Sequence, residues 1–451
     1  MNAFDVRRAK ISIIGIARSG VAAAQLLKSK GAEVFVSDSG TPEALQKEVQ
    51  TLNNAGIACE TGQHSEKVYD CSLMVISPGV PGNAPVVAEA QKRKIKVVSE
   101  LEIASLFCRA PIVAITGSNG KTTTTTLIGR ILGDAKKKHV VAGNIGTAFS
   151  SVVPGLAPTD FAILEVSSFQ LDHIETFRPK ISVILNITED HMDRYDHSME
   201  LYAASKGRIF KNQEADDVLI YDVDDEWCLK EAALAKCRTF GFSVTKQLSE
   251  GAFVENDRLV TILDGKKTEI ISCDQISIKG THNLYDSMAA VLVGQLLGVG
   301  SASLRATLKN FKGVEHRLEF VREVEGVRYI NDSKATNVDS VWYALQAFKE
   351  PIVLLLGGRD KGNDYSRLIA LVRDHVKVVV AIGESADKVE MAFSATTSVV
   401  RAASMPGAVQ HAKNLAKPGD IVLLSPACAS FDWFRNYEHR GQVFKELVNA
   451  L

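Results

Sequence analysis

Ile112-Val113-Ala114-Ile115-Thr116-Gly117-Ser118-Asn119-Gly120-Lys121-Thr122-Thr123 decides how the rest of the chain is read. An apolar run enters a glycine loop, and Lys-Thr opens a helix over Thr122–Leu132. Glycines let backbone N–H groups face phosphate oxygens. The lysine adds a point charge, and the helix start adds its dipole. Thr122 is placed to ligate the magnesium that accompanies ATP. The usual motif has four residues between its glycines. Here only Ser118 and Asn119 stand between Gly117 and Gly120, so the match lies in the order strand, loop, Lys-Thr, helix.

The same alternation runs outward in both directions. Upstream, Lys10–Ile14, Glu33–Ser37 and Leu73–Ser77 read as strands, with a helix to about Lys30 and another over Glu100–Phe107. Continuous apolar strands between helices imply a buried parallel sheet. Downstream, strands are expected at Phe161–Leu164, Ile181–Leu185 and Val218–Tyr221. Short strands follow within Ala252–Ile271, with Asp264-Gly265 as a tight hairpin turn. Val327–Ile330, Ile352–Leu356, Val378–Ile382 and Ile421–Leu424 repeat the pattern. The expected fold is three consecutive α/β domains. These are a Rossmann-like residues 1–108, a P-loop-type 109–313 with a small extra β region, and a Rossmann-like 314–451.

Composition narrows the class. The chain has 451 residues, with 52 Lys+Arg against 53 Asp+Glu, so no global charge favours nucleic acid or an anionic membrane. No apolar run reaches the ~20 residues of a membrane span. Met1–Arg8 offers no apolar signal core, and seven scattered cysteines without a CxxC pair suggest reduced thiols. A cytoplasmic protein is expected.

Other motifs lie at strand ends, where ligands of such sheets bind. Glu165 closes an apolar strand and is placed either to hold magnesium or to begin the next helix. His191, in Asn186–Tyr195, follows a third strand. Gly15, Ala17 and Gly20 occupy the positions of a dinucleotide loop, and Asp38 follows Gly20 by 18 residues. The methyl of Ala17 opposes the usual dinucleotide pose. A nucleotide diphosphate held by Arg18, Ser19 and loop amides fits better. Asn331–Asn337 and Ser425–Asp432 each follow a strand and are read as offering hydroxyls and helix-start amides to an anion. Gly357–Gly362 between them is cationic and flexible. Cys428 and His439 do not form a credible nucleophile pair.

On these motifs the chain resembles the Mur ligases, ATP-dependent amide-bond ligases of peptidoglycan precursor synthesis. The shortened loop Thr116–Thr122 is common to Mur ligases and folylpolyglutamate synthetases. Gly15–Gly20, Glu165–Leu171, Asn186–Tyr195, Asn331–Asn337 and Ser425–Asp432 are similar to the branch that adds D-glutamate. The resemblance implies an acyl-phosphate mechanism on UDP-N-acetylmuramoyl-L-alanine, with ATP and Mg2+, in a monomer. It also implies hinges near the two domain boundaries. It assigns Gly117, Ser118, Asn119, Gly120, Lys121, Thr122 and Thr123 to the ATP phosphates, and Asn283, Arg317 and Asp332 to the rest of ATP. Thr122, Glu165, His191 and Lys206, the last as a carbamate, would hold magnesium. With Lys121, the last three form the catalytic set. Ser19, Asp38, Ser39, Ser77, Gly79 and Asn144 would contact the UDP-substrate. Lys334, Thr336, Lys361, Ser430 and Tyr437 would surround D-glutamate. The family often has Phe where Tyr437 stands, and Asn where Asp286 stands.

Three other readings compete. A folylpolyglutamate synthetase would not need the Gly15–Gly20 domain. An NAD-dependent dehydrogenase is opposed by Ala17 and by the downstream phosphate loop. A nucleotide switch would leave the hydroxyl-rich C-terminal segments without work.

Overall fold

Strands buried along their whole length can only sit inside a layered sheet, and Leu73–Ile76, Ile112–Thr116, Ile181–Ile184, Ile352–Gly357 and Ile421–Leu424 are all of this kind. The computed structural model describes residues 6–144, 146–360 and 362–451. It contains three sheets, divided between two compact units. Residues 1–275 and 285–309 make the first unit; 276–284 and 310–451 make the second.

The first sheet is formed by β1 (Lys10–Ile14), β2 (Glu33–Asp38), β3 (Ala58–Thr61), β4 (Leu73–Ile76) and β5 (Lys96–Ser99). Its order is β3-β2-β1-β4-β5, and every pairing is parallel. The chain leaves β1 for β2 on one side and returns at β4 on the other. A crevice therefore opens beyond the ends of β1 and β4. Gly20 lets the helix Arg18–Ser29 pack there, since a Cβ would lie 1.8 Å from the Gly15 carbonyl oxygen.

The second sheet contains β6 (Ile112–Thr116), β7 (His139–Gly143), β8 (Phe161–Glu165), β9 (Ile181–Ile184), β10 (Val218–Asp222), β11 (Arg238–Ser243), β12 (Gly251–Glu255), β13 (Arg258–Leu263) and β14 (Lys266–Ser272). The order is β14-β13-β12-β11-β10-β9-β6-β8-β7. β12, β13 and β14 form the antiparallel extension. The β13–β14 turn places Asp264 at φ 51° and Gly265 at φ 72°, the paired positive values that a two-residue hairpin requires. β6 lies between β8 and β9, so its glycine loop emerges beside the ends of both.

In the second unit β15 (Glu319–Val324), β16 (Val327–Asn331), β17 (Ile352–Gly357), β18 (Val376–Ile382), β19 (Ser398–Arg401) and β20 (Ile421–Leu424) follow the order β15-β16-β20-β17-β18-β19. Apolar clusters cover both faces. The segments after β16, β17 and β20 leave three neighbouring strands. Asn337 caps the helix Val338–Gln346 by accepting from the Ser340 amide, as read from the sequence. Ser425–Asp432 departs from expectation, because it does not open a helix; the next one starts at Tyr437. Its backbone turns instead through Ala427 at φ 58°. Its carbonyls accept from the amides of Gly357 and Arg359.

Within the first unit, the helix Glu100–Phe107 anchors the first sheet to the second. The buried Glu102 carboxylate accepts from the amides of Glu175, Thr176 and Phe177 and from the Thr176 hydroxyl. Glu102→Ala strands three amides, each costing roughly 1–3 kcal/mol when unsatisfied. It should lower stability in urea denaturation by at least about 3 kcal/mol. Glu102→Gln, which keeps an acceptor, should lose less; equal losses would show that the amides do not depend on this acceptor.

Candidate functional site

Glu165 ends β8, almost fully buried, and accepts from three directions. The Thr122 hydroxyl donates to Oε2 at 2.8 Å and the Asn144 side-chain amide to Oε1 at 3.0 Å. The Asn144 backbone amide donates to the Glu165 carbonyl at 2.8 Å. Gly143, at φ 106°, makes this approach possible, because a Cβ there would lie 2.3 Å from that carbonyl. Glu165 thus contacts the start of the helix that follows the glycine loop, and the turn after β7, rather than capping a helix. The helix Ser168–Leu171 is capped by Ser167 and Gln170.

The glycine loop is clamped on its far side by residues that follow β9. The Asn119 amide donates to Asn186 Oδ1 at 2.8 Å, and Asn186 Nδ2 donates to the Asn119 carbonyl at 3.2 Å. The Ser118 hydroxyl donates to the Thr188 carbonyl at 2.8 Å. Gly120 precedes the helix Lys121–Asp134 at φ 81°, and a Cβ there would fall 2.2 Å from Asp286 Oδ1. Asp286, a departure from the family's pattern, therefore packs directly on this glycine.

Two ammonium groups meet at one carbonyl. Lys121 Nζ donates to the carbonyls of Gly117 and Ser118 at 2.6 and 2.7 Å; Lys206 Nζ donates to that of Gly117 at 2.9 Å. Lys206, on the helix Met199–Gly207, is wholly buried and lies 4.4 Å from the Tyr202 ring centroid. Burial first, and then the charge of Lys121, pull its pKa well below the ordinary lysine value.

His191 stands at φ 54° at the head of the turn Met192–Arg194. Its ring meets Phe169 edge-on at 5.0 Å, and its Nε2 is 3.6 Å from Asp190 Oδ2. The Tyr195 hydroxyl reaches Asp172 at 3.0 Å and Ser205 at 3.2 Å, linking this loop to the Lys206 helix. Among the described residues no group of three or more His, Cys, Asp or Glu forms a metal cage. No helix among them is long and apolar enough to cross a membrane, and all seven cysteines are free.

A cavity of about 690 Å³ opens beyond the first sheet. Ser19, Asp38, Ser39, Ser77, Gly79 and Asn144 all line it. Asp38 braces the Gly15–Ala17 loop, accepting from the Ile16 and Gly40 amides, each at 2.7 Å. The Ser77 hydroxyl donates to the Gly15 carbonyl at 3.2 Å. His64 also lines the cavity. It was not singled out in the sequence, because a lone histidine outside any motif gives no signal.

In the second unit Asp332 is buried after β16. Its carboxylate accepts from the Leu318 amide at 3.2 Å and the Ser425 hydroxyl at 2.8 Å. Burial raises its pKa to about 7 against these bonds and the nearby Arg317 and Arg440. Arg440, also missed in the sequence, is buried and donates to Ser333 Oγ, Ser333 O and Cys428 O. Lys334 Nζ lies 3.9 Å from the Tyr437 ring centroid. Ser430 is buried and Thr336 half-buried nearby in the chain segments that leave β20 and β16. Asn283 donates to the Lys279 carbonyl at 2.7 Å. Lys361 lies outside the described residues. Cys428 meets Asn363, Tyr365 and Ser385 rather than His439.

Residues 115–294 match the Mur ligase middle domain, 316–428 the Mur ligase glutamate ligase domain, and 10–86 the MurD N-terminal domain. The UDP-N-acetylmuramoylalanine–D-glutamate ligase of Salinibacter ruber is 47% identical over 99% of both chains. The chain belongs to the Mur ligases. The ligase of the same name from Chloroherpeton thalassium is also 47% identical over 99% of both chains. Among solved structures, the UDP-N-acetylmuramate-alanine ligase MurC of Thermotoga maritima shares this Mur ligase fold. The TM-score is 0.60 at 19% identity, over 98% of this chain and 99% of the other.

The Asp332 carboxyl gives a pH test of the second unit. Unfolded, it loses its proton near about 3.9; folded, it keeps the proton until about pH 7. Between those values the native state binds the extra proton, so this residue's contribution to stability falls as pH rises. Asp332→Asn should match the wild type near pH 4. It should exceed it by on the order of 4 kcal/mol above pH 7 in urea denaturation. A difference independent of pH would contradict the buried neutral acid.

Proposed function

We propose that this Mur ligase joins D-glutamate to UDP-N-acetylmuramoyl-L-alanine, using ATP and Mg2+, in the cytoplasm. The names of its relatives suggest the two substrates. One observation supports the reading more than any other. Asn144 both lines the amino-terminal cavity and donates to Glu165, which in turn accepts from Thr122 of the phosphate loop. A single side chain thus joins the place for a UDP-linked substrate to the place for ATP phosphates.

The substrate's alanine carboxylate is a poor acylating agent. Its oxygen attacks the γ-phosphorus of ATP, ADP leaves, and an acyl phosphate forms. The D-glutamate nitrogen then adds to the carbonyl carbon, loses a proton, and expels inorganic phosphate. Phosphoryl transfer of this kind depends on positioning and charge neutralisation. The Gly117–Thr123 amides, the helix start and Lys121 supply donors and positive charge. Thr122 and Glu165, whose hard oxygens lie 2.8 Å apart, are residues that would hold a magnesium ion. His191 is the residue we assign to helping hold a second magnesium. Magnesium bound there would neutralise phosphate charge during transfer.

Lys206 suits a different task. Burial and the charge of Lys121 favour the neutral form of this amine, and a neutral amine adds carbon dioxide, losing a proton to become a carbamate. That would put an anion, able to orient magnesium, in place of the amine at Gly117. In the second unit we assign Arg317, Asp332 and Asn283 to the remainder of ATP. Lys334, Thr336, Lys361, Ser430 and Tyr437 are assigned to the surroundings of D-glutamate, with Lys361 and the hydroxyls meeting its carboxylates.

The test is ADP release with UDP-N-acetylmuramoyl-L-alanine and each of D-glutamate, L-glutamate and a diamino acid. D-Glutamate should support turnover well above the others, and Lys121→Ala should reduce it by at least about a hundredfold with the fold intact. Equal turnover with all three acceptors, or an active Lys121→Ala, would refute the assignment.

A further inference from the structure

Two segments leave neighbouring strands of the second unit, and one carboxamide ties them together. Asn363 follows β17, and its side chain reaches the segment that follows β20. Nδ2 donates to the Ala427 carbonyl at 3.0 Å and to Cys428 Sγ at 3.3 Å. A carbonyl can only accept, so the nitrogen end of this amide must face it. Nδ2 carries two protons, one for each partner.

Ala427 is a residue that needs holding. It stands at φ 58°, in the left-handed region where a Cβ crowds the carbonyl. Such a conformation persists where the surroundings over-determine it. The surroundings here come from the segment after β17. The Gly357 amide donates to the Pro426 carbonyl and the Arg359 amide to the Ala429 carbonyl, each at 2.9 Å, on either side of Ala427. Gly358 permits this approach, since a Cβ there would lie 2.4 Å from the Ala429 carbonyl oxygen. Asn363 supplies the bond to Ala427 itself.

Asn363 is held in turn. Its backbone amide donates to Asp360 Oδ1 at 3.0 Å. Lys388 Nζ, from the helix Ala386–Phe393, donates to Asp360 Oδ2 at 2.7 Å. In sequence Asn363 lies two residues beyond Lys361, and Ala427 lies three before Ser430. A ligand gripped from two segments is bound well only where their separation is fixed.

We propose that Asn363 is a positioning residue for D-glutamate. By pinning the left-handed turn at Ala427 it sets the segment that carries Lys361 against the segment that carries Ser430. It acts through that turn, without touching the amino acid. The assignment rests on the reading of Lys361 and Ser430 as surroundings of D-glutamate.

The test is steady-state ADP release by the full chain, with D-glutamate, ATP and UDP-N-acetylmuramoyl-L-alanine varied in turn. The variants are Asn363→Ala, Asn363→Asp, Ala427→Gly and the double variant Asn363→Ala with Ala427→Gly. One neutral hydrogen bond corresponds to about a tenfold change in affinity. Asn363→Ala should therefore raise KM for D-glutamate by about tenfold. KM for the other two substrates should stay at the wild-type value, and kcat should change far less. Asn363→Asp, similar in shape but with an acceptor facing the Ala427 carbonyl, should lose at least as much. Glycine adopts the left-handed turn without a tether, so the double variant should recover part of the loss. Circular dichroism identifies any variant that fails to fold, and Asn363→Asp and the double variant then carry the comparison. A D-glutamate KM unchanged by Asn363→Ala, a rise shared by all three substrates, or a double variant no better than Asn363→Ala would overturn the assignment. Lys361→Ala separates it from its parent. If Lys361→Ala leaves KM for D-glutamate unchanged, the reading of the glutamate site fails. If Lys361→Ala raises it and Asn363→Ala does not, only this inference fails.

Discussion

The carboxylate of Glu165 is the fixed point of the first unit. It sits at the end of a buried strand, where it can be neither solvated nor moved without disturbing the sheet. It accepts from the Thr122 hydroxyl on one side and the Asn144 amide on the other. The two donors lie on different segments, Thr122 at the start of the helix after β6 and Asn144 in the turn after β7. Left alone, each segment would carry its own conformational freedom. Tied to one acceptor, they become a single surface. Charge-assisted hydrogen bonds of this kind are the stronger class. The carboxylate therefore has a structural role in the resting chain at the place proposed for a metal-bound phosphate.

The surrounding electrostatics are unbalanced. Lys121 and Lys206 both point at the Gly117 carbonyl, and burial keeps Lys206 from remaining an ordinary ammonium. Low local dielectric makes two neighbouring cations expensive. Anionic phosphate oxygens, or conversion of Lys206 to an anion, would each relieve this.

Much of this was legible in the sequence, for definable reasons. β6 and its loop were readable because the apolar run, the two glycines and Lys-Thr each constrain the backbone independently. The β13–β14 hairpin was readable because Asp-Gly tolerates two successive positive φ angles. Ser425–Asp432 was misread as a helix start because its hydroxyls look like caps. The deciding feature was Ala427 in the left-handed region, which nothing in an alanine announces. Glu102 and Arg440 were passed over because a buried charge looks like any surface charge until its partners arrive from distant positions. Lys206 stood in an unremarkable helix, and only family resemblance singled it out; its burial supplies the physical reason. Asp286, noted as a departure, is explained by its contact with Gly120, a neighbour far away in sequence.

Oxygen isotope tracing follows the proposed activation of the carboxylate by phosphoryl transfer directly. UDP-N-acetylmuramoyl-L-alanine labelled with 18O in its alanine carboxylate would be turned over with ATP and D-glutamate, and the inorganic phosphate analysed by mass spectrometry. Attack of the carboxylate on the γ-phosphorus predicts that each phosphate released carries one oxygen from the substrate. Phosphate free of label, with both 18O atoms still in the precursor or lost to water, would contradict the acyl phosphate.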